Sequence, residues 1–115
     1  MSKGTPDRTD VLQGMLDMMV LQTLDTMGAM HGYGIARRIE QISDAMLKLN
    51  EGTVYTSLMR LLQSGQITAS WGTSESNRRA RFYAITRAGR KQLAAEGEKW
   101  DRLSGVIARL RTGEK

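Results

Sequence analysis

The sequence predicts a mainly α-helical fold with one small β-hairpin, of the α+β class. Apolar residues recur at helical spacing in four stretches, and two segments after Gly65 alternate apolar with polar residues. The last helical stretch repeats Leu93, Trp100 and Ile107 at intervals of seven. Two short helices joined by a turn and followed by a hairpin form a winged helix-turn-helix, to which the last stretch adds a C-terminal dimerisation helix.

Composition excludes most site chemistries. The chain has 115 residues, no cysteine and one histidine, which excludes thiolate zinc sites, multi-histidine metal sites and a cysteine nucleophile. No carboxylate pair, nucleophile with a base or phosphate loop appears at a usable spacing, so we predict no enzyme, metal or cofactor. No apolar run reaches the roughly 20 residues of a membrane span and the N-terminus is polar, which predicts a cytoplasmic protein without a membrane partner.

Positive charge is concentrated in one segment. The formal net charge is +5, and residues 77–91 hold six Lys or Arg without one Asp or Glu. A local positive field of this kind favours a polyanionic partner.

The first helix is predicted from Val11 to about Met27. Residues 1–9 are polar, include Pro6 and are predicted to form a flexible arm, and Asp10 is the expected N-cap. The apolar stripe is wider than one core face requires, so we expect one face to pack on its own domain and the other on a partner subunit. A central helix of a monomer is the alternative.

A glycine-rich turn, 28–34, separates this helix from the second, which is predicted over about 33–43. Ile35, Ile39 and Ile42 form its apolar face, with the arginines at 37 and 38 turned outward. His31 lies in the turn, where we expect one backbone contact rather than a pH sensor.

The third helix is predicted to begin at Glu51 after the N-cap Asn50 and to stop at Gly65. One face is apolar, with Val54, Leu58, Leu61 and Leu62. The opposite face, with Tyr55 on its shoulder, is small or polar and consists of Gly52, Thr53, Thr56, Met59, Arg60 and Gln63. As the second helix of a helix-turn-helix, it is expected to enter a DNA major groove.

Two strands follow. Ile67, Ala69 and Trp71 alternate with polar residues, residues 81–85 alternate in the same way, and 72–77 form a polar tip. The basic edge of this predicted wing can contact phosphates, which gives affinity without sequence reading. The alternative is a solvated hairpin. Residues 10–86 would then form the DNA-binding domain.

Thr86 is the expected cap of the last helix, about 87–110, and residues 87–115 form the predicted dimerisation helix and tail. The heptad-like seam is too short for an independent coiled coil, so pairing is expected to include the second face of the first helix. A helix folded back on its own domain is the alternative.

Several motifs together resemble the PadR family of bacterial transcriptional regulators, in its short form with one C-terminal helix. They are HGYGI at 31–35, LNEGTVYTSLMRL at 49–61, Gly65-Gln66-Ile67, Trp71-Gly72 and RRARFYAITRAG at 78–89. The resemblance implies a winged helix-turn-helix dimer. Family members are mostly repressors that bind inverted repeats, and some release DNA when a small molecule binds. The sequence departs from the family at Thr56, where proline is usual, and at Gly34, where an acidic or polar residue is usual.

Resemblance and residue chemistry together give the expected DNA-contacting residues: Tyr33, Arg37, Asn50, Thr53, Tyr55, Thr56, Arg60, Gln63, Arg78, Arg79 and Arg81. Those at 53, 56, 60 and 63 are candidates for base edges, and the tyrosines and other arginines for the DNA backbone. The Tyr55 ring is also expected to pack against the second helix.

A second set is expected at a dimer interface or effector pocket: Met15, Met18, Met19, Leu93, Trp100, Leu103 and Ile107. In some relatives a tryptophan at the place of Trp100 stacks on flat hydrophobic drugs, and methionines adapt to varied ligands. Simple packing of this tryptophan is the alternative.

The sequence therefore predicts a homodimeric, sequence-specific DNA-binding regulator, a ligand-responsive repressor of an inverted repeat with half-sites about 10 bp apart or a multiple. A small hydrophobic or aromatic effector is the expected further partner. The alternative is a winged-helix protein-interaction module without direct DNA binding.

Overall fold

The computed structural model describes residues 8–115, with side chains from residue 12 onward, and in this part of the chain contains four helices and a three-stranded sheet. The elements are α1 (Arg8–Met27), β1 (Met30–His31), α2 (Gly32–Ile42), α3 (Glu51–Gln63), β2 (Ile67–Thr73), β3 (Arg79–Ile85) and α4 (Arg87–Arg111). The sheet is antiparallel in the order β1-β3-β2. The predicted α+β class is confirmed.

The core lies where α1, α2 and α3 meet against one face of the sheet. Val20, Leu24, Ile35, Val54 and Leu58 are fully buried there. Because these residues fall at the helical spacing predicted from the sequence, burial of their apolar surface fixes α3 against the other two helices.

The start of α1 differs from the prediction. The helix begins at Arg8, so Asp10 lies inside it and is not the N-cap. An apolar stripe shows which residues face the core but does not mark the first turn. Residues 1–7 of the predicted arm lie outside the described residues. Further along α1, Leu12 and Met15 are exposed, on a face that the rest of the described chain leaves uncovered.

The glycine-rich segment contains a short strand that the sequence did not indicate. Met30 and His31 pair with Tyr83 and Phe82 of β3. His31 is also the N-cap of α2, because its Nδ1 accepts a hydrogen bond from the Gly34 N–H at 3.0 Å. The expected single backbone contact of His31 is therefore present, and it joins the sheet to α2.

The connection between α2 and α3 turns through two left-handed residues. Asp44 and Ala45 have φ of 51° and 65°, a conformation that favours glycine and asparagine. The Ala45 N–H donates to the Glu40 carbonyl at 2.9 Å, which ends α2. Backbone strain is thus stored directly between the two helices of the helix-turn-helix.

The β2-β3 hairpin is longer than predicted. Its pairing runs from Ile67 opposite Ile85 to Thr73 opposite Arg79, and the turn closes at Asn77 with φ of 60°. Trp71 alternates with polar residues in the same way as the buried Ile67, yet Trp71 is 61% exposed. The alternating pattern of β2 continues past the end of the core. A residue on the inward face of the strand is therefore not buried there.

Helix α4 begins at the predicted cap and crosses α1. The Thr86 hydroxyl accepts from the Gly89 N–H at 3.1 Å and donates to the Gly65 carbonyl at 2.8 Å. A Cβ at Gly89 would overlap the Gln66 carbonyl, so glycine permits this close approach. Leu93 is buried in the core of its own domain, whereas residues 101–115 are all exposed.

Candidate nucleic-acid interface

Local signals position α3 as the sequence predicted. The Asn50 side-chain oxygen accepts from the Thr53 N–H at 2.8 Å, and the helix ends before Gly65, whose φ is 73°. Asn50 thus has a capping role. Its exposed amide group retains donors that could reach a phosphate.

The outward face of α3 is polar and carries little charge. Gly52, Thr53, Thr56 and Gln63 are all exposed. The Thr56 hydroxyl donates to the Gly52 carbonyl at 3.0 Å, so its remaining capacity is to accept hydrogen bonds. Met59, predicted on this face, is partly buried against the core.

Arg60 does not belong to the outward face in this structure. Its Nη2 lies 2.7 Å from Asp17 Oδ1 and its Nε lies 3.2 Å from Asp17 Oδ2, so the guanidinium is bound to α1. The same Asp17 oxygen accepts from the fully buried Ser57 hydroxyl at 2.6 Å. Two of the five guanidinium N–H donors of Arg60 are thus engaged by a carboxylate, which favours a structural role for Arg60 over the predicted base-reading role.

An open crevice of about 620 Å³ lies between the hairpin and the start of α3. It brings together five predicted DNA-contacting residues, namely Tyr33, Tyr55, Arg78, Arg79 and Arg81. Two carboxylates that the prediction did not consider, Glu51 and Glu75, also border it. The crevice is therefore lined by three arginines and two glutamates.

Two of the wing arginines lie against aromatic rings. The Arg79 guanidinium carbon is 4.3 Å from the centre of the Trp71 ring, and that of Arg81 is 5.9 Å from the Tyr83 ring. Burial is the main cause that raises the pKa of Tyr83, and the charge of Arg81 opposes that shift. The contact with Trp71 is the closer of the two, and both arginines remain exposed to solvent.

The remaining predicted contacts lie on α2 and the shoulder of α3. Tyr33 and Tyr55 are both more than half exposed, so the structure does not bury the Tyr55 ring against α2 as expected. Arg37 is exposed and forms a 3.7 Å ion pair with Glu40. Such an exposed pair is weak and can exchange for a phosphate.

The comparisons with known proteins agree on one family. The model of the "Transcriptional regulator PadR-like family" matches residues 20–95. The chain belongs to the PadR-like family. A transcriptional regulator from Clostridium thermocellum is 30% identical, with 90% of this chain and 97% of that one covered and a TM-score of 0.76. A PadR-like transcriptional regulator from Bacillus cereus shares the fold at 23% identity, with 90% and 98% covered and a TM-score of 0.77.

A relative by sequence is an uncharacterized protein of Lysinibacillus sphaericus. It is 25% identical over 100 residues, which is 87% of this chain and 91% of that one. The family and these structures place this PadR-like chain among transcriptional regulators and not among enzymes. In residues 8–115 no helix is long and apolar enough to cross a membrane. Among the side chains described from residue 12 onward, no cluster could hold a metal ion.

The residues predicted for a dimer interface or effector pocket of the PadR-like chain do not form one cluster in the single chain. Leu93 is in the core, where it contacts its own domain, and so is not available as an intersubunit seam residue. Met18 lies beside it in a groove between α1 and α4, while Met19 lines a different cavity between α1 and α2. Trp100 is half-buried, and Met15, Leu103 and Ile107 are exposed.

Sequence reasoning missed two residues of the interface region, Asp17 and Glu75, and the part that His31 plays in joining the sheet to a helix. Asp17 holds Arg60, His31 joins β1 to α2, and Glu75 places a negative charge at the wing tip. A capping histidine beside a glycine turn could have been suggested from sequence, whereas the Asp17 contact joins positions 43 residues apart and has no local signal.

Proposed function

We propose that this chain is a homodimeric regulator that binds duplex DNA, with the outward face of α3 in the major groove and the hairpin wing on the phosphates. The observation that carries the proposal is the crevice, where three wing arginines and two exposed tyrosines lie next to the start of α3. Cationic and hydroxyl groups of this kind bind phosphate oxygens, and a small polar helix face fits the major groove.

We assign base contacts to the outward face of α3 and contacts with the DNA backbone to the residues around it and on the wing. Thr53, Thr56 and Gln63 would contact base edges, where a glutamine paired with adenine discriminates by about 1–3 kcal/mol. The exposed residues around this helix face would contact the DNA backbone and fix the register of the protein on the duplex; they are Tyr33, Arg37, Asn50, Tyr55, Arg78, Arg79 and Arg81.

The dimer would form through the uncovered part of α4. Leu103, Val106, Ile107 and Leu110 follow one another at helical spacing and are between 46% and 69% exposed. Monomeric proteins rarely leave a contiguous apolar face of this kind uncovered. The exposed side chains of Leu12 and Met15 on α1 provide the matching apolar surface on a second copy. Two recognition helices related by a two-fold axis would then read an inverted repeat.

The resemblance further implies repression and release by a small hydrophobic molecule, and we include both in the proposal. A dimer bound across an operator would exclude other proteins from that DNA. The half-buried Trp100 lies between the core and the exposed part of α4, so it remains the proposed contact for an aromatic effector at the dimer seam. The regulator would work in the cytoplasm, with access to DNA.

A salt titration tests the proposal without knowledge of the operator. Binding of a fluorescent random-sequence duplex is followed by anisotropy as the salt concentration rises. The logarithm of affinity should fall linearly with the logarithm of salt, with a slope of about 0.9 per phosphate neutralised. Absence of salt-dependent duplex binding would favour the protein-interaction module instead.

A further inference from the structure

A second cavity, of about 290 Å³, lies between α1 and α2. Its lining shares no residue with the crevice beside the wing. It also lies apart from Trp100, the proposed aromatic contact. The lining consists of Met19, Gln22, Thr23, Thr26, Met27, Arg38, Ile39, Ile42, Ser43 and Leu47.

The walls of this α1-α2 cavity are aliphatic and flexible. Five of the lining side chains are Met, Ile or Leu, and none is aromatic. Ile42 at its edge is 68% exposed, so its apolar side chain is open to a ligand from solvent. Methionine and branched aliphatic side chains suit an alkyl chain, because a flat ring would find no stacking partner here.

Arg38 gives the cavity its only charge. Among the lining residues there is no carboxylate, and in the part of the chain with described side chains Arg38 forms no ion pair. Its neighbour Arg37 is instead paired with Glu40. Arg38 is also half-buried, so an anion at its guanidinium would be partly shielded from water.

The other polar side chains in the lining are uncharged, and each makes at least one hydrogen bond within the protein. The Thr23 hydroxyl donates to the Met19 carbonyl at 2.7 Å, and Gln22 donates to the Thr26 hydroxyl at 3.1 Å. The Ser43 hydroxyl donates to the Glu40 carbonyl and accepts from the Leu47 N–H. Arg38 is therefore the lining group that favours an anionic head group.

We propose that the α1-α2 cavity binds an aliphatic monocarboxylate, with the carboxylate on Arg38 and the alkyl chain against Met19, Ile39 and Ile42. The site adjoins the strained linker, since Ser43 and Leu47 flank Asp44 and Ala45. A bound chain would contact Ser43 and Leu47 and thereby act on the linker that positions α3. Occupancy would thereby weaken DNA binding, a consequence that rests on the proposed function.

Octanoate is the first ligand to test, by isothermal titration calorimetry with the purified full chain and no DNA. We expect saturable binding, with octanol and octylamine at least about tenfold weaker because they lack the charge-assisted hydrogen bonds to Arg38. Arg38→Gln should remove the preference for octanoate over octanol, and Arg38→Lys should restore part of it.

Arg37→Gln is the matched control for octanoate binding, because this adjacent arginine points away from the cavity lining and should leave the octanoate affinity unchanged. Ile42→Gln, at an exposed position where folding is not at risk, should weaken octanoate and octanol alike. Thermal denaturation of each variant confirms folding. Absence of octanoate binding, or equal loss with Arg37→Gln and Arg38→Gln, would overturn the site.

The effect on DNA is measured separately by anisotropy. Octanoate should lower duplex affinity of the native chain by a few-fold or more and leave that of Arg38→Gln unchanged. If octanoate bound but had no effect on DNA affinity, the proposed coupling between the two sites would be wrong, whereas the proposed octanoate site would stand. Failure of the native chain to bind DNA at all would contradict the proposed function, while the calorimetric result would still decide the site.

Discussion

Asp17 on α1 and Arg60 on α3 form a two-point ion pair, with nitrogen to oxygen distances of 2.7 and 3.2 Å. The buried Ser57 hydroxyl donates to the same carboxylate. Asp17 therefore adds a polar link between α1 and α3 to the apolar packing that holds α3, whose outward face is proposed to contact DNA.

Asp17→Ala should lower the free energy of unfolding by about 2 kcal/mol, because it leaves the Ser57 hydroxyl and the Arg60 charge without their acceptor. Urea denaturation measures the change. Asp25→Ala is the matched control, since the Asp25 and Arg90 pair is exposed and should contribute less than about 1 kcal/mol.

Arg60→Ala should likewise destabilise the protein and leave its preference among DNA sequences unchanged. Unfolding in urea and binding to a panel of duplexes measure the two properties. If the variant kept full stability and relaxed the base preference, Arg60 would be a base-reading residue after all and the ion pair would not hold in solution.

Thr56→Val and Gln63→Ala should relax base preference while the dependence on salt stays the same. Each removes hydrogen-bonding groups from the outward face without changing charge, and each should cost about 1–3 kcal/mol on the preferred sequence only. Competition between duplexes that differ at one base pair measures the loss. Equal weakening on every sequence would argue for a backbone role.

Arg78→Gln and Arg79→Gln should weaken binding to all duplexes and flatten the salt dependence by about one unit of slope each. Trp71→Ala leaves both charges in place but removes the ring under Arg79, so it should lower affinity without a change of slope. A changed base preference with an unchanged slope would reverse the roles assigned to the wing and α3.

Glu75→Gln should strengthen DNA binding several-fold at low salt, because this carboxylate borders the crevice where phosphates are proposed to lie. The gain should shrink as salt screens the interaction. Glu98→Gln, an exposed carboxylate on α4 away from the crevice, is the control. No gain over that control would place the phosphates elsewhere.

Leu103→Asp and Leu110→Asp should convert the dimer into a monomer, since each buries a charge in the proposed interface. Sedimentation equilibrium measures the molecular mass. Ser104→Asp adds the same charge at an exposed neighbouring position and should leave the dimer intact. A native chain that sediments as a monomer would contradict the proposed assembly.

The sequence predicted best what depends on neighbouring residues. The cap at Asn50, the apolar spacing of α3 and the stop before Gly65 all act within one helix, and the structure confirms them. Contacts between distant residues were not predictable. From the sequence, Arg60 is expected to be free to contact DNA, but its guanidinium binds Asp17, which lies 43 residues earlier in the chain.

The other differences have similar causes. Strand β1 has only two residues, which is too few to show an alternating pattern in the sequence. It forms because Met30 and His31 pair with the edge of β3. Trp71 follows the alternation of β2 but lies beyond the core, where its exposed ring contacts the Arg79 guanidinium. Leu93 shares a heptad spacing with residues that face solvent, yet it is buried in the core. The spacing alone does not distinguish a contact within the chain from a contact between subunits.

Selection from a randomised duplex library tests the central claim most directly. The purified chain is mixed with the library at roughly physiological salt, and the bound duplexes are sequenced. We predict enrichment of an inverted repeat whose half-sites lie about 10 bp apart or a multiple of that distance. Recovery of no duplex, or of duplexes with no shared sequence, would contradict a sequence-specific dimeric regulator.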